Sequence, residues 1–416
     1  MKADIHILRS FPPSNVNRGE DGSPKTCTLG NVKRARYSSQ SMKRSIRMEE
    51  KYWGEMGLGE PSIRSKDHSP IVVERMRGMG VNDPHIDEIV SATLLGLYGV
   101  KEEKGGDDDK GIPPWFLGMD ELVALAEVFT EKFDLLKNLA IISDEDAEFK
   151  TAPVRFYTEK NKPRGSKDGE KVSKEEMKQR STELDVIIEI AKRPPVSPDI
   201  LSSGRMNASH PDYNSDAIWA VSHGVGVNEL NLTHDFYSAV DDLHKNGAAF
   251  LGTAELVSPC FYMFSSMDIS AGRESLSKID DLQSRTEYDP EEYIERYIRA
   301  GLRSAISFKP YAKKNSCAPF TMPCLVVVVI RDGDTSVNLS NSFSKPVVAT
   351  KEFDLQEAAV RALDEGWRKS LKFIDGSTGV KGVFAFNPEE YQLNALEEHQ
   401  VKTESELIEA VLNVVR

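Results

Sequence analysis

The chain has 416 residues, 39% hydrophobic and 29% charged, with a formal net charge of -13 and a pI near 5.3. That composition fits a soluble globular protein of two or three folding units, and its acidity excludes one that coats nucleic acid with its whole surface, because phosphate binding needs local positive charge and counterion release. Charge is nevertheless segregated: Gly22 to Met48 holds seven cations and no acid, so the other residues together carry -20.

At the start, "DIHILRS" is short, alternating and β-prone, and it runs into the breaker-rich "FPPSNVNRGEDGSP". A strand followed by a long loop is predicted. Next comes "VKRARYSSQSMKRSIR", Val32 to Arg47, with six cations. Ser38 or Ser39 is the N-cap, and Met42 and Ile46 at i and i+4 place an apolar stripe on the inner face of a short helix. Ser41, Lys43, Arg44 and Arg47 then face outward. The bland reading is a solvated helix face. Against it stand Ser38, Ser39, Gln40 and Ser41, small donors interleaved with the charge, and the free amides of a helix N-terminus, which together suit phosphate and sugar oxygens.

Further along, "KEEKGGDDDKG" (Lys101 to Gly111) and the run from Thr158 to Arg180 are charged and poor in apolar residues, so they read as surface loops or partly disordered segments. Between them, Leu122, Leu125, Phe129, Phe133 and Leu136 recur at spacings of three and four after Pro113 and Pro114, an amphipathic helix. "LDVIIEIA" reads as either strand or buried helix, and the prolines of "RPPVSPDILSSGRMNAS" impose irregular backbone. "THDFYSAVDDLHKNGAAFLGTAELVSPCFYMF" is read as a short helix from a Thr233 N-cap, with Phe236, Val240 and Leu243 on one side, a turn at Asn246 and Gly247, and an apolar strand-like return. The last third holds a helix in "DPEEYIERYIRAGLRSAISF", a strand in "CLVVVVIRDG" and a helix in "DLQEAAVRALDEGWRKSLKF" with Val360, Leu363, Trp367 and Leu371 on one face. The order predicts an α+β fold interrupted by a helical subdomain.

Chemistry is harder to assemble. Cys27, Cys260, Cys317 and Cys324 form no C-x-x-C pair, which points to a reducing cytoplasm, and the run Cys324 to Ile330 is too short to span a bilayer. His210, His223, His234 and His244 fit no zinc spacing, no glycine loop fits a phosphate-binding motif, and adjacent Asp241 and Asp242 point about 100° apart on a helix. No metal or cofactor is expected. A binding role is favoured over catalysis.

Taken together, "NRGEDGSPKTCTLGNVKRARYSSQSMKRSIR", "PPWFLGMDEL", "SSGRM", "FYSAVDDLHKNGAAFLGTAELVSPCFY" and "KKNSCAPFTMPCLVVVVI" resemble the backbone-subunit family of the type I-E CRISPR complex Cascade (CasC). The resemblance runs from the first strand to about Lys345. Residues 158–180 and 265–292 look like additions to the family pattern. It implies a hand-shaped subunit: a modified RNA-recognition-motif, ferredoxin-like palm (residues 1–60 and 263–416), helical fingers (61–221) and a thumb (222–262). Several stacked copies would hold one guide RNA, displace a base at regular intervals and present the rest to a target DNA strand, alongside large, small, 5'-end cap and guide-processing subunits. Carried over by position, Ser39, Gln40, Lys43 and Arg44 would hold guide phosphates, with Lys25 and Arg36 nearby. Arg205 and Met206 would contact the guide from the fingers. Phe236, Tyr237, Val240 and Leu251 would form the thumb wedge, with Phe236 standing where the family has a tryptophan.

Such a subunit binds without cutting, whereas related type III backbone subunits cleave target RNA with a metal and an acidic residue, for which Asp21, Asp241 or Asp242 would be candidates here. A stand-alone single-stranded RNA-binding protein is the third reading.

Overall fold

The expected first strand forms as Lys2–Ser10 and lies inside a nine-stranded sheet. In this computed structural model, which describes residues 1–57, 61–97, 114–141, 155–156, 196–206, 214–241, 243, 248–333, 335–373 and 379–416, that strand pairs antiparallel with Cys260–Asp268 on one side and Leu325–Arg331 on the other. Val380–Phe386 and Gln400–Val401 follow beyond Leu325–Arg331. Beyond Cys260–Asp268 come Gly224–Gly226, Val32–Tyr37 and Thr26–Leu29, and Trp219–Val221 also pairs with Cys260–Asp268. The charged loops Lys101 to Gly111 and Thr158 to Arg180, the "LDVIIEIA" run and the Asn246–Gly247 turn lie outside the described residues.

Alternation in the first strand produces two dry faces, not one wet and one dry, because helices pack on both sides. Leu8, Tyr262, Phe264, Val327 and Val329 share a core with Val360, Leu363 and Trp367 of the helix Leu355–Ser370. Ile5 and Ile7 are buried on the opposite face, where the helices Ile269–Ser277, Pro290–Ser307 and Glu404–Val415 gather. Leu371, expected on the buried face of its helix, instead follows the last turn and is exposed. Polar residues inside the sheet engage one another: Asp4 accepts from Arg331 Nε at 2.8 Å, and Tyr262 Oη takes the Leu339 amide proton while lying 2.9 Å from His6 Nδ1. Burial holds the His6 imidazole neutral, at about 4.

The chain divides into two units, one of Met1–Gly59, Ile218–Gln283 and Glu287–Arg416, the other of Glu60–Ala217 and Ser284–Thr286. The second has its own core: Val72, Val73 and Met76 from the helix Ser69–Gly78, Ile89 and Leu94 from Ile86–Leu97, and Leu122, Leu125 and Phe129 from Met119–Glu131. The long amphipathic helix read from the sequence ends at Glu131 and restarts as Phe133–Leu139, with Leu136 buried and Phe133 partly so. Among the described residues no helix is long and apolar enough to cross a membrane.

Candidate nucleic-acid interface

The basic segment folds as two elements. Its first half is a hairpin, Thr26–Leu29 against Val32–Tyr37, turned by Gly30 and Asn31 in the left-handed region. Glycine is needed at Gly30, since a Cβ there would fall 1.6 Å from the Ser344 carbonyl oxygen. The second half is the helix Ser39–Arg47, entered through Ser38 in extended conformation, with Met42, Ser45 and Ile46 buried. Arg44 and Arg47 in its last turn suit the negative end of the helix dipole.

Not every cation of the run reaches water. Arg34 is fully buried and donates to the carbonyls of Gly226 (3.1 Å), Val227 (2.7 Å) and Phe343 (3.0 Å). It stitches strands and a loop of the first unit together, and burial lowers its pKa. Around the helix start the picture reverses. Lys25 and Arg36 are adjacent through the bond from Arg36 N–H to the Lys25 carbonyl (2.8 Å), Ser39 N–H donates to His223 Nδ1 (3.1 Å), and Ser39 Oγ lies 3.4 Å from Gln40 Oε1. Lys43 is half-buried, its pKa lowered by desolvation, and Arg44 is exposed with its guanidinium carbon 5.3 Å from the Tyr311 ring centre. Among the described residues no carboxylate lies within ion-pair distance of Lys25, Arg36, Lys43 or Arg44. Sequence reasoning found these cations but missed His223 and Tyr311, which enter from distant segments.

The stretch from Thr233 is a strand, not a helix. Thr233–Val240 pairs with Ala248–Leu256 in a separate two-stranded sheet, with Phe236 opposite Thr253, Tyr237 opposite Gly252, and Ser238 opposite Leu251. The apolar spacing mimicked a helix because the hairpin has no core face to impose a period of two. Its strands are solvated: Phe236 is 66% exposed, Leu251 59% and Phe250 57%. Opposite residues share a face. Phe236 and Leu251 therefore lie diagonally on one side, while Tyr237 and Phe250 lie on the other, their ring centres 6.1 Å apart. Phe250 went unnoticed in the sequence, where "GAAFLG" looked like an ordinary buried strand. The hairpin base is anchored to the N-terminal loop by the Ser14–Val257 bridge and by Asn15 Nδ2, which donates to the Glu255 carbonyl (3.3 Å).

In the second unit, Arg205 is turned inward, not toward a phosphate. Its Nη1 sits 2.8 and 2.9 Å from the two oxygens of buried Glu121 and 3.2 Å from the Phe116 carbonyl oxygen. Burial pushes the Glu121 carboxyl up to about 7 against the pull of Arg205. Paired backbone bonds with Ser215 hold Arg205 in place, and the next residue, Met206, is 89% exposed. The aspartates are engaged in local turns: Asp21 accepts from the Ser23 amide and Asp241 from the Leu243 amide, both at 3.0 Å. Asp242 lies outside the described residues, among which no three His, Cys, Asp or Glu side chains converge on a common point.

A family model described as "CT1975-like protein" matches residues 3–413. Among solved structures, the chain is similar over its full length to a chain of a "CRISPR RNA-guided surveillance complex, pre-nicking", with 21% identity, all of that chain covered and a TM-score of 0.74. It is also similar to a chain of a "CRISPR RNA-guided surveillance complex", with 19% identity, 99% of each chain covered and a TM-score of 0.64. A comparison with curated protein sequences finds no match. At these identities the structural likeness speaks for the fold.

Proposed function

The chain belongs to the CT1975-like protein family of Cas proteins, and from that premise we propose that it is the repeating, non-catalytic backbone subunit of a CRISPR surveillance complex of the type I-E kind its sequence resembles. The observation that carries this reading is a set of cations, Lys25, Arg36, Lys43 and Arg44, that have no carboxylate partner among the described residues and lie with Ser39 and Gln40 on and just before one short helix in an acidic chain. Like charges gathered without counter-charges repel, and a polyanion relieves that repulsion. Phosphates along a guide RNA supply one anion per nucleotide, and hydroxyl and amide donors fix their register.

The fold supports holding by backbone. Helices cover both faces of the first strand at the centre of the large sheet, so the open-sheet stacking by which RNA-recognition folds read bases is closed off there. A guide that carries any sequence requires such indifference, since pairing with the target does the reading. The exposed hairpin supplies bulky apolar side chains of the type that interrupt base stacking. On this reading Phe236 and Leu251 form a wedge on one face, and Tyr237 with Phe250 extends the contact on the other. Met206, by its exposure, is a proposed base contact. Stacked copies would join the grips into one track, with target DNA and further subunits assembling on it.

Binding of labelled single-stranded RNAs of unrelated sequence, measured against salt concentration, tests the reading. Lys43→Ala with Arg44→Ala should weaken all of them alike and reduce the salt slope by about 1.4, the value for two single-strand phosphate contacts. A loss restricted to particular sequences contradicts backbone gripping.

A further inference from the structure

Between Glu295 and Asp332 the sequence contains no acid but seven cations. Four of these are neutralised by carboxylates from elsewhere in the fold: Arg296 by Glu292, Arg299 by Glu409, Arg303 by Glu55 and Arg331 by Asp4. Left over are Lys309, Lys313 and Lys314, and all three lie in the one connection, a loop with the short helix Lys314–Cys317 inside it, that joins the helix Pro290–Ser307 to the strand Leu325–Arg331. Among the described residues none of the three has a carboxylate within ion-pair distance.

The loop is held in place. Arg9 Nη1 donates to the Phe308 carbonyl at 2.9 Å, its Nη2 donates to the Thr321 carbonyl, and its guanidinium carbon lies 5.0 Å from the ring centres of both Phe11 and Phe308. Thr321 Oγ1 closes the base by donating to the Ser10 carbonyl (2.6 Å). One buried arginine thus clamps both ends of the loop to the end of the first strand. From that clamp the loop brings Tyr311 beside the basic helix, so that the Arg44 guanidinium lies 5.3 Å and the Lys314 ammonium 5.5 Å from the same exposed ring. Cations separated by 270 positions in the sequence are brought against one phenol.

A quadrupole offsets part of the repulsion between those cations, but a ring carries no net charge and leaves the patch positive. We propose that the loop Lys309–Phe320 is a second element of the RNA grip, in which Lys313 and Lys314 take guide phosphates next to the one held by Arg44 and Tyr311 spaces the two sets. The proposal rests on the RNA-binding reading above and adds a site to it. The aromatic and lysine chemistry fits a flexible single strand, which can present successive phosphates and a sugar or base face within one short loop.

The test uses the full chain and a labelled mixed-sequence single-stranded RNA, followed by anisotropy over a range of KCl concentrations. Lys313→Ala with Lys314→Ala should weaken binding roughly 10-fold near 0.1 M salt and lower the salt slope by about 1.4. The unfolding midpoint should stay that of the wild type, because neither side chain is in a core. A wild-type chain that ignores RNA takes down both readings. RNA binding that falls with Lys43→Ala and Arg44→Ala but is unmoved by the loop variant overturns this inference alone. In a second arm the guide-loaded chain is offered a complementary DNA strand; a loss confined to that step overturns the guide assignment and gives the lysines to the target's phosphates.

Discussion

Arg34 and Arg44 stand ten positions apart in one basic run and do opposite work. Arg34 donates to three main-chain carbonyls inside the first unit, whereas Arg44 lies exposed beside Tyr311. Removing a buried charged donor strands its acceptors, so Arg34→Ala should lower the stability of that unit by about 3 kcal/mol. A chemical-denaturation midpoint measured for Arg34→Ala and for Arg44→Ala separates the two roles: the first should fall clearly and the second should stay at the wild-type value. Equal behaviour of the two variants would mean that the burial of Arg34 has no energetic meaning. The charge run announced a basic surface without saying which members belong to it, because an arginine's fate depends on whether distant carbonyls happen to surround it. Arg205 teaches the same lesson in the second unit, where Glu121, 84 positions away, closes on it. Its neighbour Met206, largely exposed among the described residues, was legible as a surface residue only after the fold was known.

At the scale of elements, those with a core to face were legible. Met42 and Ile46 marked the inner side of the basic helix, Asp289 and Asp354 cap the two long helices they precede, and "CLVVVVI" became a strand buried along its whole length. The hairpin was misread because its apolar residues serve no interior. An isolated two-stranded ribbon is marginal in water, and an exposed apolar set of this kind fits the proposed wedge against RNA. Phe236→Ala with Leu251→Ala should therefore shift folding stability by no more than about 0.5 kcal/mol while reducing RNA-dependent assembly of copies. Circular dichroism on thermal unfolding, together with light scattering in the presence of RNA, reads both effects. A large drop in the unfolding midpoint would mean that these side chains pack within the chain after all.

For the whole molecule, the acidic total and the local cationic patches are one arrangement. On the proposed reading, a net charge of -13 keeps copies from coating RNA at random, while the patch around Ser39–Arg47 offers one place to hold it. The α+β class could be read from the order of elements, and membership of a Cas family, without the type I-E subtype, from the quoted motifs. What could not be read was convergence: the placing of His223 at the helix start and of Tyr311 against Arg44 depends on loops whose lengths and turns carry no periodic signal. The proposed repetition of the subunit is likewise a property of several chains and of the strand they would share. Native mass determination of the particles formed on RNAs of increasing length probes it directly. Copies should add in equal steps as the RNA lengthens, with the same step for any sequence; a single copy on every length, or a step that follows the sequence, would contradict the account.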